Sequence, residues 1–345
     1  MRVLIVGGVF ARDEEYRRSI NPTPEMTLET GLRRRGVEVV VAPHSWSHSL
    51  TGIDIVHVHH LAKSVPGLAA CRAVRPTPVV FTRHNEERAL PAKRAAALWL
   101  INRAADAFVA LSHQEADRLR REVRGRVVVI RNGIDAPADP PPPVLPRQEG
   151  PWRLLFAGQL IPRKGLDVLF RALATVRPEI SVALRIVYHN SEQLVQLQTL
   201  AQQLSINDIV TFVGRRDTAG MREEYRLADG LVLPSLAEAE SLPSVITESL
   251  LAHKPVVASA DAGIPEQVQD AGVLVPPGDD AALASAILRL TCDYSGYVTK
   301  AQVRAREVRQ EYAVETMIDR HLELYQSLLQ GRNRTAKRPA RATRG

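Results

Sequence analysis

The chain has 345 residues, 45% of them apolar and 24% charged, which is enough to bury two ordinary soluble cores and excludes a low-complexity or disordered polymer. Only two cysteines occur, Cys71 and Cys292, with no CxxC pair, so neither a disulfide framework nor a thiolate metal site is available and a reducing cytosol is expected. The net charge of +7 is uneven: residues 1–135 carry 21 basic against 14 acidic side chains, residues 136–330 carry 18 against 24, and residues 331–345 carry six basic and none acidic. This is either scattered solvated charge or a first lobe and tail that meet an anionic surface, such as the inner face of a membrane.

In chain order, the opening MRVLIVGG is a short apolar run that reaches glycine at once, too short for a signal peptide. No stretch approaches the roughly 20 apolar residues of a membrane helix. β-Branched runs predict strands over 3–6, 37–42, 54–58, 78–82, 107–111 and 126–130. Helical patterns fill the gaps over 25–35, 65–74, 91–103 and 113–123. Such alternation implies parallel βαβ units, because a parallel partner needs a crossover. The loop over 8–24 matches no pattern.

Residues 136–146, APADPPPPVLP, hold six prolines and read as a stiff linker within 136–150. The alternation then restarts. Strands are predicted over 153–157, 183–187, 209–213, 230–233, 255–259 and 273–275, and helices over 166–176, 192–204, 219–227, 244–252, 281–290 and 300–329. The organisation is therefore two doubly wound α/β lobes, 1–135 and 151–330, with the last helix free to cross back to the first lobe. Residues 331–345 are read as a disordered basic tail. Two facing lobes place a cleft between them, with ligands past the carboxyl ends of the strands.

The densest chemistry lies at 234–266, PSLAEAESLPSVITESLLAHKPVVASADAGIPE. A strand ends at Pro234-Ser235, a polar loop follows, and a helix begins near Ser244. The amides at a helix start have no intrahelical acceptor and can hold phosphate oxygens. Glu248, one turn inside, can accept from ribose hydroxyls. Read alone, Glu240 and Glu248 are two surface glutamates beside a helix N-terminus. Upstream, FAGQLIPRKG (156–165) puts Lys164 at another helix start, either a diphosphate clamp or a solvated lysine.

These segments resemble the retaining family-4 glycosyltransferases of the GT-B fold. The resemblance rests on Pro234-Ser235, the E-x7-E from Glu240 to Glu248, Pro255 to Ser259, Gly263 to Glu266 and Gly272 to Gly278. It also rests on Lys164-Gly165, on IRNGID at 130–135, on Thr82-Arg83-His84 and on Leu111-Ser112. It implies an enzyme of hexosyl transfer with no cofactor. The donor is a nucleotide sugar, a UDP-sugar first and GDP-mannose second. The acceptor is unidentified, and could be a lipid, glycan or small metabolite.

By the same resemblance Lys164 binds phosphate and Glu248 the ribose. Glu240 sits beside the transferred sugar and His84 meets the donor sugar from the first lobe, the two positions read as catalytic. Gly7 and Gly8 form the loop near phosphate and acceptor, and Val213, Gly214 and Arg215 lie along the base. Two positions depart from the family pattern. Gln159 stands where the family has arginine, so a diphosphate cation is missing that Arg163 could supply from a shifted position. Pro243 has no amide for phosphate, leaving Ser244 or Leu242 to offer one.

No DxD-like motif occurs, so transfer is expected to be metal-independent, and retention by front-face attack is carried over from the resemblance. His57, His59 and His60 at a strand end, with His44 and His48 nearby, lack an acidic partner at a metal-ligand spacing and read as strand-end histidines. GxGxxG, GxxxxGK[ST], GxSxG and HExxH are all absent. A helix near 90–108, with Lys93, Arg94, Trp99 and Arg103, could dock on anionic lipid or simply pack on the sheet. Alternatives are a nucleotide-sugar 2-epimerase on the same architecture, and a nucleic-acid-binding protein using the basic tail. Nucleic acid is not expected, because aromatics are 5% and no recognition motif occurs.

Overall fold

Runs such as Val3-Leu4-Ile5-Val6 and Val79-Val80-Phe81 are buried on both faces, the condition that favours continuous β-branched and aromatic strands in a parallel sheet. The computed structural model of the chain describes residues 1–19, 22–43, 50–59, 77–83, 92–134, 149–237 and 241–336. The helix expected at 65–74, the linker at 136–146 and His44, His48 and His60 lie outside them.

Contacts divide the chain into two compact units, Met1–Gly133 with Val314–Gly345, and Ile134–Ala313. In the first, β1 (Arg2–Gly7), β2 (Glu38–Ala42), β3 (Ile55–His59), β4 (Val79–Thr82), β5 (Ala107–Ala110) and β6 (Arg126–Val129) form a parallel sheet in the order β2-β1-β3-β4-β5-β6. Its described helices are α1 (Glu14–Ser19), α2 (Pro24–Arg34), α3 (Ala92–Ala104) and α4 (His113–Glu122). Alternation along β1 sends its side chains into two separate cores. Val3 and Ile5 pack with Leu28 and Leu32 of α2, while Leu4 and Val6 pack with Ile101 of α3 and Leu119 of α4. The short α1 and a 3-10 turn at Gly8–Ala11 fill part of the loop for which the sequence offered no pattern.

The second unit repeats the scheme with β7 (Trp152–Ala157), α5 (Leu166–Val176), β8 (Val182–Val187), α6 (Leu194–Gln203), β9 (Val210–Gly214), α7 (Thr218–Leu227), β10 (Gly230–Leu233), α8 (Ser244–Leu251), β11 (Val256–Ser259), α9 (Ile264–Val268), β12 (Gly272–Val275), α10 (Asp280–Cys292) and α11 (Tyr294–Glu311). Its parallel order is β12-β11-β10-β7-β8-β9, so the direction of winding reverses between β7 and β10.

Two sequence readings change here, and the return of the last helix to the first lobe, left open above, is observed. The single helix expected over 300–329 is two helices, α11 and then α12 (Val314–Ala336). The break falls at Tyr312-Ala313, where the Ile134 N–H donates to the Tyr312 carbonyl (2.8 Å) and Ile134 pairs with Ala313 in a parallel bridge. The stretch 314–330, read as part of the second lobe apart from a possible return of its last helix, packs in the first unit: Ile318, Leu324 and Tyr325 join the core beside α2. Residues 331–336, read as the start of a disordered tail, continue α12; residues 337–345 lie outside the described residues. Among the described residues no helix is long and apolar enough to cross a membrane.

Candidate functional site

In an open parallel sheet the point where winding reverses leaves two strand ends whose loops diverge, and ligands bind there. In the second unit those strands are β7 and β10. After β7 the chain runs through Gly158 and Gln159 into a 3-10 turn, Pro162–Lys164, and α5 begins after Gly165. After β10 it runs through Pro234-Ser235-Leu236 towards α8.

Backbone contacts join the two loops. The Leu236 N–H donates to the Arg163 carbonyl at 2.8 Å. Gly165 has φ +66°, and a Cβ there would overlap the Pro234 carbonyl oxygen, so the position needs glycine on both counts. Lys164 is half-buried and its stem lies over the end of β7: a Cβ built on Gly158 would sit 3.8 Å from Lys164 Cε. Arg163 is exposed beside it.

The start of α8 is held from behind. No described side chain caps it, Pro243 occupies the cap position, and Ser244 is exposed. Leu242 is buried at 9% exposure. The Gln267 amide of α9 donates to the Pro243 carbonyl (3.1 Å) and to Thr247 Oγ1 (2.9 Å). Arg304 of α11, 2% exposed, donates in turn to the Gln267 and Glu266 carbonyls and to the carboxylates of Glu307 and Glu311. A buried guanidinium is tolerated only when so fully paired.

Glu248 is half-buried one turn into α8, and the buried Tyr225 hydroxyl of α7 donates to its Oε2 at 2.8 Å. Burial pushes the Glu248 carboxyl up, while hydrogen bonds from Tyr225 and Ser244 pull it partly back. Along the same edge, β8 and β9 end side by side, and the Tyr188 N–H donates to the Gly214 carbonyl (3.2 Å). Val213 and Gly214 (φ +80°) close β9, with Arg215 exposed beyond them. The next residue after Tyr188 is His189, whose Nε2 lies 3.3 Å from Gln159 Nε2.

The structure thus brings Lys164, Arg163, Val213, Gly214, Arg215, Leu242, Ser244 and Glu248 into one unit, on the loops and helix starts at its carboxyl edge. Glu240 and His84 lie outside the described residues. Gly7 and Gly8 belong to the first unit, at φ +84° and +61°. Their turn is already occupied by a carboxylate: Glu25 of α2, 4% exposed, accepts the Val9 N–H at 3.0 Å, and a Cβ on Gly8 would overlap Glu25 Oε1.

The histidines at the end of β3 are structural in their contacts. His57 is fully buried, with Tyr325 Oη on Nδ1 and Thr82 Oγ1 on Nε2, both at 2.6 Å, and His59 stacks beside it at 4.3 Å between ring centroids. Among the described residues no group of three or more His, Cys, Asp or Glu side chains could hold a metal ion. Sequence reasoning did not single out Tyr225, Gln267, Arg304 or His189. For His189 a signal existed: it follows a predicted strand at the same edge as Gln159 and Arg215.

A family model for Glycosyl transferases group 1 matches residues 151–293, and one for Glycosyltransferase Family 4 matches residues 45–137. A D-inositol 3-phosphate glycosyltransferase of Streptomyces avermitilis is 31% identical over 322 residues, covering 82% of this chain and 67% of that one. The chain belongs to the glycosyl transferases group 1. A second relative of this glycosyltransferase, the D-inositol 3-phosphate glycosyltransferase of Thermomonospora curvata, is 30% identical, covering 86% of this chain and 70% of its own. Among solved structures, sucrose-phosphate synthase from Thermosynechococcus elongatus superposes with a TM-score of 0.75 at 20% identity, over 96% of this chain and 99% of that one. Anabaena HepE in complex with UDP superposes with a TM-score of 0.74 at 21% identity, over 95% and 100%. At such identities these structures speak for the scaffold, which is the GT-B fold.

Proposed function

We propose that this glycosyltransferase moves a sugar from a nucleoside diphosphate donor, a UDP-sugar in the first instance and GDP-mannose in the second, with retention of anomeric configuration and without a metal ion. The observation that carries the reading is the joining of the loops after β7 and β10 at the reversal point, with Lys164 on one and the uncapped start of α8 on the other. The diphosphate gains charge as the sugar leaves, and fixed cations and helix amides stabilise that charge without having to reorganise. In this reading Lys164, Arg163 and the amides at Ser244 and Val245 hold the phosphates and Glu248 holds the ribose. Val213 to Arg215 lie along the base. Glu240 and His84 remain the positions proposed to meet the transferred sugar, and Gly7 and Gly8 those nearest the acceptor.

HepE was crystallised with UDP, which supports UDP as the first nucleotide to try. The relatives named for D-inositol 3-phosphate make a phosphorylated polyol the first acceptor to try. Exposed Trp99 of α3, with the Arg103 guanidinium 4.2 Å from its ring centroid, supports a membrane-facing role for the first unit.

Thermal-shift screening against UDP, GDP, ADP and dTDP tests the donor site, since a ligand bound to the native state raises stability by mass action. A shift with UDP that is lost in Lys164→Ala supports the site. No shift with any of the four rejects it. Incubation with a UDP-sugar alone separates transfer from epimerisation, because an epimerase consumes it without an acceptor, giving the epimeric UDP-sugar or, where water takes the sugar, free UDP. Retained turnover in excess chelator is expected; its loss would reject metal independence.

A further inference from the structure

We propose that His189 is a proton-linked ligand of the donor diphosphate: it takes up a proton from solvent as the sugar nucleotide binds, and so supplies the cation that Gln159 does not. The inference rests on the donor-site reading above.

Its ground is the arrangement at the edge of the second sheet. His189 follows β8, between the loop after β7, which carries Gln159 and Lys164, and the end of β9, which carries Arg215. It is exposed to solvent. Among the described residues the charged groups acting on its ring are Arg215 and Lys164, both cations; partial burial of the ring comes first and these two add to it in holding the imidazole below its ordinary range. The free site therefore presents a neutral ring among fixed positive charges. The diphosphate of a sugar nucleotide carries two negative charges, and bound beside Lys164 it offsets the two positive charges of Lys164 and Arg215 and sets an anion within reach of the ring. A neutral ring whose cationic surroundings are offset by a bound dianion binds a proton more readily than the free site does.

Gln159 suits this role in a way arginine would not. An amide faces either state of the ring: its NH2 donates to a bare Nε2, and after a half-turn its oxygen accepts from a protonated one. An arginine has no acceptor and would add a third fixed cation beside the ring. The exchange of arginine for glutamine thus replaces a permanent charge by one that appears only with ligand. Only an N–H bond forms, on His189, and the proton comes from the buffer.

The test is calorimetry of UDP-glucose binding, with GDP-mannose if UDP-glucose gives no heat. Both are diphosphate diesters with no titrating phosphate near neutrality. Binding is measured in two buffers of different ionisation enthalpy between about pH 6 and 8. Wild type is expected to take up a fraction of a proton per site and to lose affinity as pH rises, by at most about tenfold per pH unit for one linked proton. His189→Gln is expected to abolish the buffer dependence and flatten that slope, and Gln159→Arg to suppress the uptake. Equal heats in both buffers across the range overturn the proposal and leave the donor site standing, as does uptake that persists in His189→Gln. No binding of any sugar nucleotide overturns the donor-site reading itself, and this proposal with it.

Discussion

Tyr225 reaches across from α7 to donate its hydroxyl to Glu248 Oε2 at 2.8 Å, so one carboxylate oxygen is committed to the protein and the orientation of the other is set before any ligand arrives. Burial holds the Tyr225 hydroxyl well above its ordinary range, so it remains a donor throughout the useful pH range. Tyr225→Phe removes this support without changing the ring. The expected loss is about tenfold in donor affinity, or ~1.4 kcal/mol, the lower end for a hydrogen bond to a charged group. The pH dependence moves as well. On the proposed role of Glu248 the ionised carboxylate is the better acceptor for ribose, so binding is expected to weaken as pH falls through the Glu248 titration. The lost hydrogen bond had been lowering that titration, so in Tyr225→Phe the acid limb moves to higher pH. Binding isotherms across pH check this; an acid limb that stays in place contradicts it.

Lys164 is placed by a short turn whose geometry does not depend on its side chain: its own N–H donates to the Ile161 carbonyl, and the next residue is the left-handed Gly165. Lys164→Ala is therefore expected to leave folding intact while lowering kcat/KM by about 10²–10³-fold, the scale found when one preorganised group opposite developing charge is removed. Steady-state kinetics with a thermal-unfolding control reads both. A loss within about threefold, against that same scale, would place the diphosphate elsewhere.

Gly165→Ala separates positioning from contact. Two costs coincide there: a positive φ, worth about 1–2 kcal/mol for a residue with a Cβ, and overlap with the backbone oxygen of Pro234. Gly36 has a similar φ of +75° with nothing within 4 Å of an added Cβ, so Gly36→Ala carries the first cost alone. Denaturant unfolding is expected to show Gly165→Ala as the more destabilised by roughly 1–3 kcal/mol, the range for overpacking, together with a loss of donor binding. Equal destabilisation of the two variants would mean the loops after β7 and β10 are not held together as described.

Most of the architecture was legible because parallel strands are short, buried and β-branched, and because Pro, Gly and polar clusters separate them. Val79-Val80-Phe81 and Leu231-Val232-Leu233 announce themselves by composition alone. What escaped was set by contacts distant in sequence. The break at Tyr312-Ala313 comes from Ile134, about 180 residues earlier, and no local pattern encodes it. The proposed site could be named from sequence where a residue type meets a helix start, as at Lys164 and Ser244. It was not legible where a side chain acts through another. Gln267 reads as one polar residue in a short helix until its amide is seen holding Pro243 and Thr247 of α8. Gly8 read as a loop near phosphate and acceptor, and the carboxylate that fills its turn comes from Glu25, whose partner Val9 lies 16 residues earlier.

His321 makes stability, rather than catalysis, depend on pH. It is 4% exposed; Nδ1 lies 2.8 Å from the Met317 carbonyl, so Nδ1 carries the proton, and the buried Nε2 has no hydrogen-bond partner among the described residues. A second proton there would be a buried charge with nothing to receive it, and burial accordingly holds the imidazole down at about 4. The unfolded chain binds that proton near the ordinary value of 6.5. Between the two values the unfolded state holds more protons than the native state. The contribution is therefore fully present above about pH 6.5 and is lost as pH falls towards about 4, with a total on the order of 3 kcal/mol. His321→Leu removes the titrating group while keeping an apolar side chain of similar bulk beside Tyr325. Its unfolding free energy is expected to fall less steeply than that of wild type between about pH 6.5 and 5. Parallel curves for the two proteins would mean that His321 charges freely in the native state, and that the packing of α12 against β3 and β4 opens enough to hydrate it.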